Sequence, residues 1–203
     1  MVENELRQAP ATSRNREPIL AVLARTLPDS GLLLEIASGT GEHAAFMMPR
    51  LPETWRWQPT DADPGAFANI DGHARLSLCP RILPAIMLNV RDTTWPIARA
   101  DAILCCNMIH IAPWEAAEGL FAGAARVLST GAKLILYGPF KRNRLHTAPS
   151  NESFDANLKA RDRDWGVRCL DTEALPLAEK NGFDLEEIVI MPANNLTVIF
   201  HRR

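Results

Sequence analysis

The chain has no excess of charge of either sign: 22 Lys and Arg stand against 24 Asp and Glu, a formal net charge of −2 over 203 residues. A protein that grips DNA or RNA by its phosphates needs a basic face, and this composition gives no reason to expect one. No stretch approaches the ~20 consecutive apolar residues that span a bilayer. Met1 to Pro10 carries Glu3 and Glu5 and no apolar run, so a secretory signal is not expected. The four cysteines, Cys79, Cys105, Cys106 and Cys169, lack C-x-x-C spacing. Cys105 and Cys106 adjoin in an apolar run, where alternation sends them to opposite faces, and structural thiols are the expectation. The five histidines show no metal-binding helix spacing, so no metal is expected. These absences describe a cytoplasmic protein, monomer or homodimer, that meets neither nucleic acid nor membrane.

What is present is core. Hydrophobic residues make up 47% of the chain, enough to bury one domain of ordinary size. A local basic run at Lys141, Arg142 and Arg144 reads either as a solvated loop or as a site for a small anionic substrate.

Apolar strands alternate with amphipathic helices along the sequence. Helical segments are expected at Pro18–Leu27, Glu42–Arg50, part of Pro64–Leu78, Pro113–Leu128, around Ser153–Arg161, and Asp171–Lys180 with an acidic N-cap. Strands are expected at Leu32–Ala37, Trp55–Thr60, Ile86–Arg91, Asp101–Cys106, Ala132–Tyr137, Phe183–Ile190 and Leu196–His201. The last two are joined by Met191–Asn195, too short for a parallel crossover, so they should pair antiparallel. The pattern predicts an α/β fold: a doubly wound, Rossmann-like, mostly parallel seven-stranded sheet with an antiparallel C-terminal pair. A single domain over 1–203 is expected, with residues 1–28 as an N-terminal cover and 138–170 as a substrate lid.

The sharpest motif runs from Leu33 to Glu42 (Leu-Leu-Glu-Ile-Ala-Ser-Gly-Thr-Gly-Glu). It closes a strand and opens a helix, where open α/β sheets bind ligands. Gly39 and Gly41 let the backbone approach a ligand that a Cβ would displace. Glu35, inside the strand, needs a cationic or hydrogen-bonding partner if buried, and a ligand's ammonium group would be one. Asp61 closes the next strand about 20 residues on, where a carboxylate can take both hydroxyls of a ribose. The plainer reading makes Gly39 and Gly41 a turn, with Asp61 and Asp63 capping the next helix. A nicotinamide site is the rival: Gly39-x-Gly41-x-x-Ala44 fits the dinucleotide pattern, and Tyr137-x-x-x-Lys141 has the spacing of the short-chain dehydrogenase pair. That pair must share a helix face, yet Gly138 and Pro139 separate it. Glu35 and the antiparallel finish favour a sulfonium nucleoside instead.

These residues resemble class I S-adenosylmethionine-dependent methyltransferases across nearly the whole chain. More narrowly they resemble the methyltransferase-like 26 family, catalogued as a domain of unknown function. The matching segments are Arg14-Asn-Arg-Glu-Pro-Ile-Leu20, Leu34-Glu-Ile-Ala-Ser-Gly-Thr-Gly-Glu-His43 and Trp57-Gln-Pro-Thr-Asp-Ala-Asp63. Asn107-Met-Ile-His-Ile111, Pro113-Trp114, Leu136-Tyr-Gly-Pro-Phe140, Trp165-Gly166 and Met191-Pro-Ala-Asn-Asn-Leu196 complete the match. The resemblance implies S-adenosyl-L-methionine as cofactor. Glu35, Ala37, Gly39 and Gly41 would face its methionine end, Asp61 its ribose, and Ala62, Asn89 and Val90 its adenine. Asn107 and Met108 would lie near the sulfonium. Ala37 stands where the class pattern has its first glycine, and Asn89 where many members have aspartate.

Methyl transfer to an oxygen, nitrogen or sulfur of a small molecule needs alignment more than a dedicated base. If a base exists, His110 is the first candidate and His146 the second; the alternatives are a histidine orienting the following helix and an exposed loop histidine. Substrate contacts are expected from Arg14, Asn15, Tyr137, Arg144, Asn151, Trp165, Asn194 and Asn195, although Asn194 and Asn195 also suit a turn. Trp114 reads as core. A catalytically silent cofactor-binding module and, behind it, a nicotinamide-dependent oxidoreductase are the other readings of the chain.

Overall fold

The computed structural model describes residues 6–203; residues 1–5, which open the expected N-terminal cover, lie outside the described residues. The elements in order are α1 (Pro10–Thr26), β1 (Gly31–Ile36), α2 (Glu42–Met47), β2 (Trp55–Asp61), α3 (Phe67–Leu76), β3 (Ile86–Met87) and β4 (Ala100–Cys106). Then come α4 (Trp114–Val127), β5 (Leu128–Gly138), α5 (Pro149–Arg161), α6 (Leu175–Lys180), β6 (Phe183–Met191) and β7 (Asn195–Arg202).

The strands form one sheet in the order β3-β2-β1-β4-β5-β7-β6. The pairs β1–β2, β1–β4, β2–β3 and β4–β5 are parallel. β5–β7 and β6–β7 are antiparallel, as the short link between β6 and β7 requires. The doubly wound fold expected from the sequence is the fold observed. Alternation along β1 splits the core in two: Leu34 and Ile36 join a cluster with Leu120 and Phe121 of α4, and Leu33 joins one with Ile19 and Leu23 of α1. Burial on both faces is why the central strands read as apolar runs rather than as alternating ones.

Besides β5, which begins at Leu128 rather than Ala132, and α2, which ends at Met47 rather than Arg50, three elements differ from the sequence reading, each for a local reason. α1 begins at Pro10, not Pro18, so Pro18 lies inside the helix. The buried face runs Thr12, Asn15, Ile19, Val22, Leu23, and its first two members are polar. Hydrophobic periodicity could not show that extension. An interior proline costs ~3 kcal/mol, and the burial of Ile19, Val22 and Leu23 against α2 and the sheet offsets it.

β3 is two residues long instead of six. Leu88 still donates to the Asp61 carbonyl at 3.0 Å, but Asn89 then turns the chain, its side chain accepting from Arg91 N–H and its carbonyl from Asp92 N–H. Leu88 and Val90 are buried, which imitates strand alternation without a strand.

The last helix is in two parts. Pro176 has no N–H to give, and the turn before it, Leu170–Ala174, winds wide, with Leu175 N–H reaching back to the Leu170 carbonyl. Asp171 lies within that turn and pairs with Arg142 rather than capping. Trp114 packs against the α4 side of the core, as expected.

Gly123 of α4 lies flat against the Trp95 indole, in space a Cβ would share with the ring. Gly123→Ala should therefore lower the unfolding free energy by ~1–3 kcal/mol through overpacking, read as a shifted urea midpoint. Gly131→Ala meets open space at φ 82° and should cost only about 1 kcal/mol.

Candidate functional site

Two abutting cavities of about 520 and 490 Å³ open at the carboxyl ends of the strands. Ala11, Asn15, Asn107 and Ile111 line both, so together they form one cleft. The first half lies over β1, β2 and β4. The second lies over β4, β5 and the β6–β7 turn, with α5 as its far wall. The first turns of α1 roof the whole, which places Thr12 and Asn15 on a buried face that is nonetheless polar.

In the first half the chain leaves β1 through Ala37 (φ 57°), Ser38, Gly39 (φ 59°) and Thr40, all on the lining except the strand itself. A Cβ built on Gly39 meets nothing within 4 Å. Asp61 closes β2 and holds this loop: its Oδ2 accepts from Gly39 N–H at 2.9 Å and its Oδ1 from Asp63 N–H at 3.0 Å. A carboxylate offers about four acceptor positions, so two remain toward the cleft. The capping alternative is correct for Asp63, which accepts from Gly65 N–H at 2.8 Å, but not for Asp61.

Several residues assigned to this half lie elsewhere. Gly41 (φ 81°) is required by packing: a Cβ there would stand 2.6 Å from Ile70 Cα of α3. Glu35 is 1% exposed and does not reach the cleft. The chain itself supplies its partners: Ser38 Oγ donates to Oε2 at 2.8 Å, Trp57 Nε1 donates to the same oxygen at 3.0 Å, and His43 Nδ1 stands 3.7 Å from Oε1. Ala62 is exposed and off the lining. Asn89 and Val90 fall beyond the shortened β3, the first in a turn and the second in the core. Met108 packs against that core, while Asn107, in a left-handed turn (φ 62°), lines both halves.

The second half gathers Arg14, Asn15, Tyr137, Asn151, Asn194 and Asn195 from four separate stretches of sequence. Asn151 Nδ2 donates to the Asn194 carbonyl at 2.8 Å and Asn194 Nδ2 to Ser150 Oγ at 3.2 Å, fastening α5 to the β6–β7 turn. The turn reading of these asparagines and the lining role therefore coexist. Burial raises the Tyr137 phenol above its ordinary pKa, and a hydrogen bond from Asn15 works against that rise. Arg144 and Trp165 are not on the lining: Arg144 N–H donates to Cys169 Sγ and Trp165 lies 5.0 Å under the Arg161 guanidinium. Tyr137 sits in β5 and Lys141 past Gly138 and Pro139, its Nζ on Asp155 at 3.0 Å, so the two share no helix face.

Neither histidine offered as a base reaches the cleft. His110 is 0% exposed, edge-on to Phe140 at 4.8 Å, and fits only because residue 138 is glycine. Its Nδ1 accepts from Arg168 N–H at 3.2 Å, which leaves the ring proton on Nε2. Burial first, then the Arg168 guanidinium, presses its pKa down to about 3. His110 is a structural histidine. His146 Nε2 lies 3.2 Å from Asp155 Oδ2, in a cluster with Lys141 and Lys159 that ties α5 to the segment after β5. Burial opposes ionisation of Asp155, but hydrogen bonds from Lys159, Lys141 and Val167 N–H outweigh it and bring its pKa to about 2.

His43 was not singled out by sequence reasoning. It lines the first half and its Nε2 lies 2.8 Å from Asn15 Oδ1. Glu35, His43 and Asn15 thus run as a chain of polar contacts from beneath the first half to the lining it shares with the second. The available signal was His43 in the quoted motif, one helical turn past Gly39.

Residues 6–202 match the model of a family described as "Protein of unknown function (DUF938)". Solved structures share the fold. CalO1, described as a methyltransferase in calicheamicin biosynthesis in an SAH-bound form, matches with TM-score 0.70 and 16% identity over 93% of this chain and 54% of its own. The mitomycin 7-O-methyltransferase MmcR matches at TM-score 0.79 and 16% identity over 95% and 54%. An O-methyltransferase family protein from Burkholderia thailandensis matches at 0.80 and 16% over 95% and 57%. The chain spans little more than half the length of these proteins, and at such identities the likeness is one of fold. Among the described residues, no helix is long and apolar enough to cross a membrane and no cluster of His, Cys, Asp and Glu could hold a metal.

The buried His110 dictates a pH dependence. Below its ordinary pKa of 6.5 the unfolded chain binds a proton that the folded chain refuses until about pH 3, so stability should fall as pH drops through that window. Urea midpoints at pH 7.5, 6 and 5 should decline more steeply for the wild type than for His110→Gln. Equal slopes would contradict the assignment.

Proposed function

The chain belongs to the DUF938 family, and from that footing we propose that it is an S-adenosylmethionine-dependent methyltransferase acting on a small molecule, with transfer to an oxygen, nitrogen or sulfur. The motifs quoted above favour the methyltransferase-like 26 family. One observation carries the reading: Asp61, at the end of β2, is fixed to Gly39 N–H across the mouth of a cleft while keeping free acceptor positions. The fold it shares with methyltransferases of known structure, one of them with SAH bound, supports it.

The residues present fit such a cofactor. About 520 Å³ is within the range of ligand pockets. Gly39 leaves the space beside its backbone empty, and Asp61 can accept from vicinal hydroxyls. Ala37, Ser38, Gly39 and Thr40 would hold the cofactor along the loop, and Asn107 would stand where the two halves meet. Glu35 would act only through Ser38 and His43, which separate it from the cleft. When bound, the sulfonium supplies an activated methyl group.

The work left to the protein is placement. Asn15 and Asn107 touch both halves and would set the approach of an acceptor lying between Tyr137 and Phe154. Alignment of this kind contributes several kcal/mol, up to about 7–11, without any base. This suits a cleft that neither His110 nor His146 enters. The same observation favours a second reading, a cofactor-binding module without turnover. S-adenosylhomocysteine release across a panel of metabolites separates the two: sustained release supports the enzyme, and binding without release supports the module.

Asp61→Ala should weaken S-adenosylhomocysteine binding on the order of 10-fold or more, from the ~1.5–3 kcal/mol of a charged hydrogen bond. Calorimetry on a folded variant checks it, and an unchanged affinity would remove Asp61 from the ribose role.

A further inference from the structure

The two halves of the cleft differ in charge. The first carries both signs, with Arg7, His43, Asp61 and Asp63 on its lining. The second carries one: among the described residues Arg14 is the sole charged side chain there. None of the ion pairs among the described residues involves Arg14. Around it the walls are neutral. Asn107, Asn151, Asn194 and Asn195 offer amides, Ser150 a hydroxyl, and Ile111, Phe154 and Pro192 apolar surface. Among the described residues no carboxylate lines this half to receive a protonated amine, so a cationic acceptor would meet repulsion from Arg14 and no counter-ion from them. An anion gains a guanidinium whose planar fork suits two carboxylate oxygens, carried by an exposed Arg14 at the mouth of the cleft. The guanidinium also acts on the Tyr137 hydroxyl, favouring its ionised form, so its field reaches the floor of the cleft and not only solvent.

We propose that the methyl acceptor is a small carboxylate with a flat apolar body, held by its carboxylate on Arg14 and by its body between Tyr137 and Phe154. The proposal rests on the methyltransferase reading only in calling the ligand an acceptor; the binding chemistry stands on the cleft itself. The whole chain has a net charge of −2 and does not attract anions at long range. Selection for the anion is therefore local to the second half, and Arg14 is its determinant.

The test uses the full chain saturated with S-adenosylhomocysteine, and again without it. The probes are 4-hydroxybenzoate, 4-hydroxycinnamate and thiosalicylate, each paired with its carboxamide. Calorimetry should find at least one carboxylate bound tenfold or more tightly than its amide. Arg14→Gln should abolish that preference while holding S-adenosylhomocysteine affinity within twofold, and Arg14→Lys should keep part of it. The proposal is overturned if no carboxylate outbinds its amide, or if the preference survives Arg14→Gln. Failure of the wider reading would look different: wild-type protein that ignores S-adenosylhomocysteine yet still prefers the carboxylates.

Discussion

The cleft exists because the order of strands reverses between β1 and β4. From β1 the sheet grows one way through β2 and β3 and the other way through β4, β5, β7 and β6. The segments leaving the ends of β1 and β4 therefore turn to opposite faces, and the space between them cannot be filled by a crossover helix. Everything functional hangs on that gap. Ala37 to Thr40 and Asn107 are its two lips, both turned through left-handed backbone at Ala37, Gly39 and Asn107. α1 can lie across it only because Thr12 and Asn15 put polar atoms where its buried face crosses the opening.

Side chains of one type are given different work by their surroundings. Glu35 and Asp61 end neighbouring parallel strands, but Glu35 is sealed beneath the loop and satisfied by Ser38 and Trp57, whereas Asp61 spends one backbone N–H on each oxygen and keeps the rest outward. A buried carboxylate with two donors is a structural pin. A half-buried one on the lining of a cleft keeps acceptor positions that the chain does not use. The histidines divide likewise: His110 is kept neutral inside the protein by burial, His146 serves the Asp155 cluster, and His43 faces the ligand space. The Asp155 carboxylate joins α5 to Lys141 and to the segment at Val167, and takes a further hydrogen bond from Lys159 of its own helix.

Much of this was legible in order along the chain. Seven strands, their alternation with helices, the antiparallel close and the β1–α2 loop all follow from local pattern and from link length. Errors arose where a residue was placed by its neighbours in sequence alone. Ile86–Arg91 reads as a strand with Asn89 and Val90 at its end, but the burial of Leu88 and Val90 at period two is produced here by a turn over the core. His110 stands four residues past β4, a position that reads as the mouth of a site, and the φ 62° turn at Asn107 instead sends the chain inward. The first eight residues of α1 showed no apolar period because their buried members contact a cleft rather than a core.

The sequence by itself determined the fold class and the place of the glycine loop between β1 and α2, since each depends on contacts within one or two consecutive elements. Only the tertiary structure decided which side chains share the cleft. Arg14, Asn15, Tyr137, Asn151 and Asn194 come from α1, β5, α5 and the β6–β7 turn, and no spacing along the chain encodes their meeting. Periodicity reports which face of an element is apolar, while the composition of a cleft is set by how several elements converge. That convergence is fixed by the packing of the two cores against the sheet and by the reversal of strand order at β1 and β4.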